Sequence, residues 1–402
     1  MSDPVPAMTR SRGFSPARLP RVTAVMRGYG ERGMMAGAVI ALSRRGDVHV
    51  EAIGAQEGGA GIPMQRNTIF RIASMTKPVA AAAAMMLVEE AKLRLDDPVD
   101  RFLPELADRR VLKSLNGPLD DTVPAKRPIT LRDLLTMCAG FGMIMEPSGD
   151  HPIQKAVNAA RIGPGVNPPP HTPDALMKLY AALPLMHQPG EKWMYHSSYD
   201  ILGVLVARAA GMPFEAFLAE RLFMPLGMKD TGFSVPDTKR DRLATGYEHD
   251  EKAGRLVVSS EADVSGIASG SAGLVSTADD YLAFGRMMLR GGQHEAQRIL
   301  ARPTVEVMTT DQVTPAQKAA SPFVPGFWDN RGWGFGVSMT TRRDSISASP
   351  GRYGWDGGFC TSWWCDPRED LVAILLAQRL FDSVVDDIFV DFATLVYQAI
   401  DD

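Results

Sequence analysis

Residues 71–90, RIASMTKPVAAAAAMMLVEE, place one serine, Ser74, three residues before a lysine, Lys77. The alanine-rich run that follows is a strong helix former, so the sequence predicts a helix that begins close to Ser74. Pro78 agrees with this start, because proline is tolerated in the first turn of a helix but not in its interior. Residues three apart on a helix share one face, so the Lys77 Nζ atom is expected to reach the Ser74 Oγ atom.

The Ser74–Lys77 pair has two interpretations. A Ser-x-x-Lys spacing arises by chance about once in a chain of this length and average composition, and the two residues are then only part of a helix. Alternatively, Ser74 is a nucleophile and Lys77 is its base, because a serine hydroxyl attacks poorly until a neighbouring base takes its proton. The start of a helix favours the second interpretation, since its free N–H groups suit an oxyanion and disfavour a second cation.

Other arrangements that support nucleophilic or metal chemistry are missing from the sequence. No Gly-x-Ser-x-Gly, which marks a nucleophile on a strand-to-helix turn, occurs in the chain. The 7 histidines form no His-Glu-x-x-His pattern, and neither Cys-x-x-Cys nor a phosphate-binding Gly-x-x-x-x-Gly-Lys is present. We therefore expect no metal and no cofactor.

Composition and charge limit the kinds of partner. The 402 residues are 45% hydrophobic and 22% charged, which is typical of a globular protein. A net charge of -4 without a long basic block argues against a nucleic-acid partner. The apolar run at residues 78–88 is too short to cross a bilayer, and residues 1–20 lack the apolar segment of a secretory signal. We therefore predict a cytoplasmic protein that binds no membrane, and the sequence leaves its oligomeric state open.

The 3 cysteines do not form a disulfide framework. Cys360 and Cys365 lie an odd number of residues apart on one predicted strand, so their side chains are expected on opposite faces and should not pair.

Strand pairs are predicted near both ends of the chain. Residues 37–55 contain two β-branched runs around a turn at residues 44–47, which indicates a hairpin. Residues 359–379 show the same pattern. The apolar positions of residues 384–396 then recur at helical spacing, so an amphipathic helix is expected at the end of the chain.

The middle of the chain is predicted to be mostly helical. Thr130 is a typical helix cap, with Asp133 in the following turn. Residues 201–222 indicate two helices separated by a break at Gly211. Residues 145–172 are rich in proline and glycine, and we interpret them as a surface loop.

These elements predict an α/β (α+β) fold, in which an antiparallel sheet is flanked by helices and carries an inserted, mostly helical domain. The sheet domain is expected to be discontinuous, with residues 1–96 and 238–402. The helical insert is expected at residues 97–237, and the active site in the cleft between the two.

Two further segments are candidates for the same site. Residues 189–199, PGEKWMYHSSY, place Tyr195 and Ser197 just before a predicted helix. Taken alone, this segment favours an aromatic anchor at Tyr195 and a helix cap at Ser197 or Ser198. The other interpretation is that it offers the polar group that a serine–lysine site needs to relay protons.

The second segment, residues 351–365, GRYGWDGGFCTSWWC, places Gly357 and Gly358 at the start of the predicted C-terminal strand. Glycine in a strand lets a ligand approach the backbone closely, and the simpler interpretation is an Asp-Gly turn.

The ordered set of Ser-x-x-Lys, Tyr-x-Ser and a late aromatic-x-Gly resembles the serine β-lactamase and penicillin-binding protein superfamily. It is most similar to the family VIII carboxylesterases, which are similar to class C β-lactamases. The resemblance runs from about residue 20 to the C-terminus, and its β-lactamase-like fold agrees with the pattern of elements. Supporting segments are residues 69–74 (IFRIAS), 95–99 (LDDPV), 129–136 (ITLRDLLT), 225–228 (PLGM) and 271–277 (SAGLVST).

The resemblance implies roles for individual residues. Ser74 would attack the acyl carbon, Lys77 and Tyr195 would share the work of the base, and Tyr195 would protonate the leaving alcohol. The backbone N–H groups of Ser74 and Gly358 would form the oxyanion hole. The implied substrate-binding residues are Ser197, Trp355, Asp356 and Gly357.

The third motif departs from the β-lactamases, which carry Lys-Thr-Gly where this chain has Trp355-Asp356-Gly357. Trp355 supplies no positive charge for a substrate carboxylate, and an ionised Asp356 would repel one. An aromatic residue at this place is the form that the esterases carry, and it offers an apolar wall. We therefore predict a serine carboxylesterase that hydrolyses short-chain esters through an acyl-enzyme, with weak β-lactamase activity as a compatible side reaction.

Several alternatives stay open on the sequence. The same residues serve a β-lactamase, a D-amino-acid peptidase or an acyltransferase, and an inactive ligand-binding relative is a further possibility that the intact motifs disfavour. The sequence does not tell which of Lys77 and Tyr195 holds the proton at rest. We interpret His187, His196 and His249 as surface or structural histidines; for His196, beside Tyr195, contact with the site is the second interpretation.

Overall fold

A computed structural model of the protein describes residues 13–58, 61–145, 151–260 and 266–402. The prediction that residues 1–20 are not a secretory signal falls largely on residues 1–12, which lie outside the described residues. The strands are, in chain order, β1 (Gly37–Arg44), β2 (Asp47–Glu57), β3 (Ile62–Pro63), β4 (Phe70–Arg71), β5 (Arg110–Leu112), β6 (Thr122–Pro124), β7 (Tyr247–Asp250), β8 (Arg255–Val258), β9 (Val275–Ser276), β10 (Gln293–His294), β11 (Gln297–Arg298), β12 (Arg331–Trp333), β13 (Ser338–Thr340), β14 (Tyr353–Gly357), β15 (Thr361–Asp366) and β16 (Leu371–Ala377).

Eight of these strands form one antiparallel sheet in the order β12-β13-β14-β15-β16-β1-β2-β3. The predicted hairpins at both ends of the chain are confirmed: β1 pairs with β2, β15 pairs with β16, and β1 joins the two hairpins by pairing with β16. The antiparallel sheet therefore unites the first and last parts of the chain, as predicted.

Alternation along the strands gives the sheet two buried faces. In β1, Val39 and Ala41 belong to one hydrophobic core, whereas Ile40 and Leu42 belong to a second core on the other face. Successive side chains of a strand point to opposite faces, so a strand with apolar residues at every position needs a covering layer on both sides. The helices supply these layers.

The helices are α1 (Pro20–Glu31), α2 (Thr76–Glu89), α3 (Leu131–Leu135), α4 (Pro152–Ala159), α5 (Pro173–Ala182), α6 (Ser198–Ala210), α7 (Phe214–Leu218), α8 (Met224–Leu226), α9 (Ala278–Leu289), α10 (Arg302–Met308), α11 (Pro315–Ala319) and α12 (Ser383–Gln398). Helices α1 and α12 contribute to the second core and contact each other, and α12 is the predicted C-terminal helix. Helix α9 packs on the opposite face of β1, β15 and β16, and α2 packs against α6.

Helix α2 is buried on all sides. Its run of five alanines, residues 80–84, has no solvent exposure. Small side chains let neighbouring elements approach from every direction, so α2 holds a central place from which its first turn can carry a site.

Other local predictions are also confirmed. Thr130 and Asp133 form a capping box at the start of α3. Helix α6 ends at Ala210, and the capping residue Gly211 has a φ of 71°, in the left-handed region that glycine adopts without strain. Cys360 and Cys365 are free and buried, and they belong to opposite cores, although Cys360 lies in the turn before β15 and not on the strand itself.

The interpretation of residues 145–172 as a surface loop is wrong for residues 152–159. Residues 146–150 lie outside the described residues, but Pro152–Ala159 form helix α4. Ile153 and Val157, one turn apart, are buried against the larger core. The proline and glycine residues that suggested a loop lie around a short amphipathic helix, and Pro152 itself occupies a helix start, where proline is favoured.

No single helix in the described part of the chain has the length and apolar character needed to span a bilayer. Ser198–Ala210 and Phe214–Leu226 meet the length and composition criteria only as a pair, and they are bent by 77° at the break between them. The division of the chain at residues 97 and 237 stays a prediction.

Candidate active site

Ser74 lies on a short 3-10 turn, Ala73–Met75, that leads directly into α2. Only 9% of its surface is exposed. The preceding residue, Ala73, has a φ of 43°. This left-handed conformation costs an L-residue about 1–3 kcal/mol and is found mostly at functional sites. Tyr281 of α9 holds the turn by donating its hydroxyl hydrogen to the Met75 carbonyl oxygen at 2.7 Å.

The Lys77 side chain is not exposed to solvent, and its amino group has three polar neighbours. Its Nζ atom lies 2.9 Å from the Ser74 Oγ atom, as the helix spacing predicts. It donates a hydrogen bond to the Ser271 carbonyl oxygen at 2.7 Å. The third neighbour is the Nδ1 atom of His196, at 3.3 Å.

Burial lowers the pKa of Lys77 to about 7, because the amine loses the water that would solvate its charge; the negative charge of Asp200 opposes this shift. Asp200 lies in the first turn of α6 and accepts hydrogen bonds from the hydroxyl groups of Ser269 and Ser271. Burial raises the pKa of Asp200 in turn. Near neutral pH the lysine can therefore present a lone pair to Ser74.

Tyr195 lies beside the same pair. Its ring centroid is 4.6 Å from the Lys77 Nζ atom, and its phenol oxygen accepts a hydrogen bond from Trp355 Nε1 at 2.8 Å. Burial raises the pKa of Tyr195, opposed by hydrogen bonds with Ser74 and Trp355. The raised pKa of the phenol and the lowered pKa of Lys77 both favour Lys77 as the resting base.

An aromatic cluster surrounds Tyr195. The ring centroids of Trp193, Phe323 and Trp355 lie 5.8, 5.4 and 5.5 Å from that of Tyr195. Trp355 is 8% exposed, and Trp333 meets it edge-on at 4.6 Å. The polar edge of the Trp355 indole thus faces Tyr195, and the residue does more than supply the apolar wall that the sequence predicts.

The third motif lies on its own strand. Gly357 ends β14, and Gly358 lies in the turn before β15, so the prediction that both enter the last hairpin strand is wrong. A Cβ atom added to Gly357 would lie 2.3 Å from the Ile72 carbonyl oxygen, so the end of β14 runs against the chain that leads to Ser74. This approach needs glycine. The oxyanion-hole role of the Ser74 and Gly358 N–H groups stays a prediction.

Asp356 and Ser197 make contacts with other residues. Asp356 alternates with Trp355 along β14, and its Oδ1 atom accepts a hydrogen bond from Ser362 of β15 at 2.6 Å. Ser197 is buried, and its side chain hydrogen-bonds with Tyr180. The structure thus gathers Ser74, Lys77, Tyr195, Trp355 and Gly357, and it gives Asp356 and Ser197 other contacts.

A small crevice of about 40 Å³ opens beside Tyr195. Its walls are mostly apolar, with one lysine. Within the described residues, no group of three or more His, Cys, Asp or Glu side chains is placed to hold a metal ion. The residues that line the crevice are Leu115, Met143, Ile144, Met145, His187, Lys192, Trp193, Met194, Tyr195, Ala320, Ser321 and Pro322.

Sequence reasoning placed one neighbour of the lysine second and missed another. His196 is 3% exposed and contacts Lys77, so it is not a surface histidine, and its second interpretation, contact with the site, is the one that agrees with the structure. Its position next to Tyr195 was the only available signal. Ser271 contacts Lys77 through a backbone oxygen, which no residue type reveals, although residues 271–277 support the family resemblance.

The chain is similar to proteins of a known family. The Beta-lactamase family profile matches residues 22–394. Protein Rv1367c of Mycobacterium tuberculosis is 40% identical over 89% of each chain, and esterase EstB of Burkholderia gladioli is 28% identical over 90% of this chain and 91% of its own. The solved structure of EstCE1, a hydrolase with promiscuous acyltransferase activity, superposes with a TM-score of 0.76 at 26% identity and covers 95% of this chain and 99% of its own.

Proposed function

The chain belongs to the Beta-lactamase family, and on that premise we propose that it hydrolyses short-chain carboxylic esters through an acyl group on Ser74. The observation that carries the proposal is the 2.9 Å contact between Lys77 Nζ and Ser74 Oγ in a buried site. Similarity to the esterase EstB and to the hydrolase EstCE1 supports hydrolysis, and the small crevice supports a small ester.

The first step forms the acyl-enzyme. The Ser74 O–H proton moves to the lone pair of neutral Lys77, while the Ser74 oxygen forms a bond to the ester carbon. The carbonyl oxygen becomes an oxyanion, which the N–H groups of Ser74 and Gly358 stabilise. One such donor contributes about 100- to 1,000-fold in kcat in other acyl-transfer enzymes.

Tyr195 completes the step at the leaving group. Its phenol proton moves to the departing alkoxide oxygen, and the proton that Lys77 took from Ser74 returns to the Tyr195 oxygen. The hydrogen bond from Trp355 stabilises the phenol oxygen while negative charge develops on it. Water then attacks the acyl-enzyme, the same groups act in reverse, and the acid is released.

The surroundings of Tyr195 favour an ester over a β-lactam. Trp355 carries no charge, and its N–H is already engaged with Tyr195, so it offers little to a substrate carboxylate. Lys192 lines the crevice beside Tyr195. Its positive charge could bind the carboxylate of a β-lactam or peptide, so these remain the competing substrates. Lys192→Ala therefore separates the two: it should leave neutral esters unaffected and weaken only anionic substrates.

Acyl transfer is a second candidate function. EstCE1 is a hydrolase with promiscuous acyltransferase activity, and the acyl-enzyme proposed for this chain would react with an alcohol as it does with water. The apolar walls of the crevice favour an apolar alcohol over water, since burial of apolar surface stabilises the bound acceptor.

The proposal is tested by steady-state hydrolysis of p-nitrophenyl acetate, butyrate and octanoate beside a chromogenic cephalosporin. We expect ester cleavage that Ser74→Ala abolishes, acetate and butyrate faster than octanoate, and slow cephalosporin turnover. Ser345→Ala is the matched control, because Ser345 is exposed and belongs to none of the three motifs.

Two results would overturn this reading. Cephalosporin turnover faster than that of the esters would make the protein a β-lactamase first. Ester cleavage that survives Ser74→Ala would remove Ser74 as the nucleophile. Added ethanol or butanol, with the ester product measured by gas chromatography, tests the acyl-transfer candidate in the same assay.

A further inference from the structure

His196 lies between Tyr195 and α6, and its imidazole contacts Lys77 of the active site. The His196 Nδ1 atom is 3.3 Å from Lys77 Nζ. Both side chains are buried, with exposures of 3% and 0%. No role of His196 follows from the Ser-x-x-Lys, Tyr-x-Ser and aromatic-x-Gly motifs themselves.

The hydrogen-bond count of the lysine explains what this contact does. A neutral amine has two N–H donors and one lone pair. The Ser271 carbonyl oxygen accepts the first donor at 2.7 Å, and the His196 Nδ1 atom is placed to accept the second. With both donors engaged, the remaining lone pair faces the Ser74 hydroxyl group at 2.9 Å.

We propose that His196 is a positioning residue: its unprotonated Nδ1 atom fixes the rotation of the Lys77 amine so that the lone pair points at the Ser74 hydroxyl. The proposal rests on the ester-cleaving function of Ser74 and Lys77. Without His196, the second N–H would turn toward Ser74 Oγ and would occupy the oxygen lone pair that attacks the ester.

The protonation state of His196 agrees with this role. Burial and the nearby charge of Lys77 hold the pKa of His196 well below its ordinary value, so the ring is neutral. Because Nδ1 accepts from Lys77, the ring hydrogen lies on Nε2. The other ionisable groups that act on this pair are Asp200 of α6 and the phenol of Tyr195, with Asp356 of β14 acting on Tyr195.

The backbone at His196 is also unusual. Its φ is 91°, which is a strained conformation for a residue with a side chain. The strained turn places consecutive residues, Tyr195 and His196, on the same lysine: the Tyr195 ring centroid lies 4.6 Å from Nζ and the imidazole lies at hydrogen-bond distance. Strain of this kind persists where the surrounding structure fixes it, and it is typical of functional sites.

Three substitutions of His196 test the proposal. In His196→Asn, the Oδ1 atom takes the place of Nδ1, and asparagine tolerates positive φ better than most residues, so kcat for p-nitrophenyl butyrate should stay within about threefold of wild type. His196→Gln places its acceptor near the Nε2 position, and His196→Leu has no acceptor. Both should lose about 10- to 100-fold in kcat with KM little changed, as expected for a buried donor left without a partner.

The pH profile separates positioning from a merely structural role. A hydrogen-bond acceptor stabilises the ammonium form of Lys77 more than the amine form. Loss of the His196 acceptor in His196→Leu therefore lowers the pKa of Lys77. The acid limb of the kcat/KM profile should then move to lower pH. The His196→Asn limb should stay in place. Leu and Gln variants with wild-type kcat and an unmoved limb would overturn the proposal, as would an Asn variant as poor as the Leu variant.

A measurement on the wild-type protein covers the case in which a variant fails to fold. In protein labelled with ¹⁵N-histidine, the His196 resonances are identified as those that are missing from the spectrum of His196→Asn. They should show that the His196 ring carries its hydrogen on Nε2 and stays neutral from about pH 5.5 to 9. An Nδ1–H form, or titration near the ordinary histidine pKa, would refute the role. Neither outcome depends on turnover: ester cleavage that requires Ser74 would still support the proposed function if His196 failed these tests.

Discussion

The hydrogen bond from Trp355 to Tyr195 allows a quantitative test of the proposed proton transfer. Trp355→Phe keeps an aromatic ring in the cluster but removes the N–H group that lies 2.8 Å from the phenol oxygen. A hydrogen bond between neutral groups contributes about 0.5–1.5 kcal/mol, and one to a charged group about 1.5–3 kcal/mol. The difference, about 1–1.5 kcal/mol, is the part gained as negative charge develops on Tyr195, and it corresponds to a fall in kcat of about five- to thirteenfold.

The leaving group and a second tryptophan sharpen this assay. Ethyl butyrate, followed in a pH-stat, needs a proton on its leaving alkoxide and should show the full loss, whereas p-nitrophenyl butyrate releases a stable anion and should show a smaller one. Trp333→Phe is the matched control. Trp333 is fully buried against Trp355, but its indole N–H contacts no acceptor among the described residues.

Both substitutions shrink an indole in the same cluster, so we expect similar losses of melting temperature. Only Trp355→Phe should lower kcat for ethyl butyrate. Equal kcat losses in the two variants, or a Trp355→Phe loss that falls on KM alone, would refute the account of Tyr195 as proton donor to the leaving group.

Three further predictions concern the base, the turn and a helix cap. Because burial lowers the pKa of Lys77 to about 7 and the base must be neutral, kcat/KM should rise with pH through this value and fall about tenfold per pH unit below it; a flat profile from about pH 5.5 to 9 would contradict this. Gly357→Ala would place a Cβ atom 2.3 Å from the Ile72 carbonyl oxygen, so kcat should fall at least about tenfold, whereas Gly117→Ala meets its nearest atom at 3.4 Å and should behave as wild type. Thr130→Ala removes the cap of α3 and should cost about 1 kcal/mol in urea unfolding, and an unchanged midpoint would show that the cap contributes nothing.

Local signals in the sequence predict much of the fold. The turn at residues 44–47 and the β-branched runs beside it define the first hairpin, and the apolar spacing after residue 383 defines α12. The Ser74–Lys77 contact is predicted for the same reason, because it depends only on helix geometry. These features depend on neighbours in sequence, which a periodic pattern records.

Features that depend on distant contacts are harder to predict. The short helix α4 is stabilised by burial of Ile153 in the core, which its proline-rich surroundings hide. The separate strand β14 becomes visible only through its pairing with β13 and β15. His196 reaches Lys77 through a positive φ and a separation of 119 residues, and no local pattern reports either of these.

The central claim, an acyl-enzyme on Ser74, is tested most directly by trapping the intermediate. Wild-type protein and Ser74→Ala would be mixed with p-nitrophenyl butyrate, quenched in acid during turnover and digested for mass spectrometry. The account predicts one butyryl group on the wild-type peptide that contains Ser74 and none on the variant. A butyryl group on a different residue during turnover, or the same labelling of the Ser74→Ala protein, would contradict it.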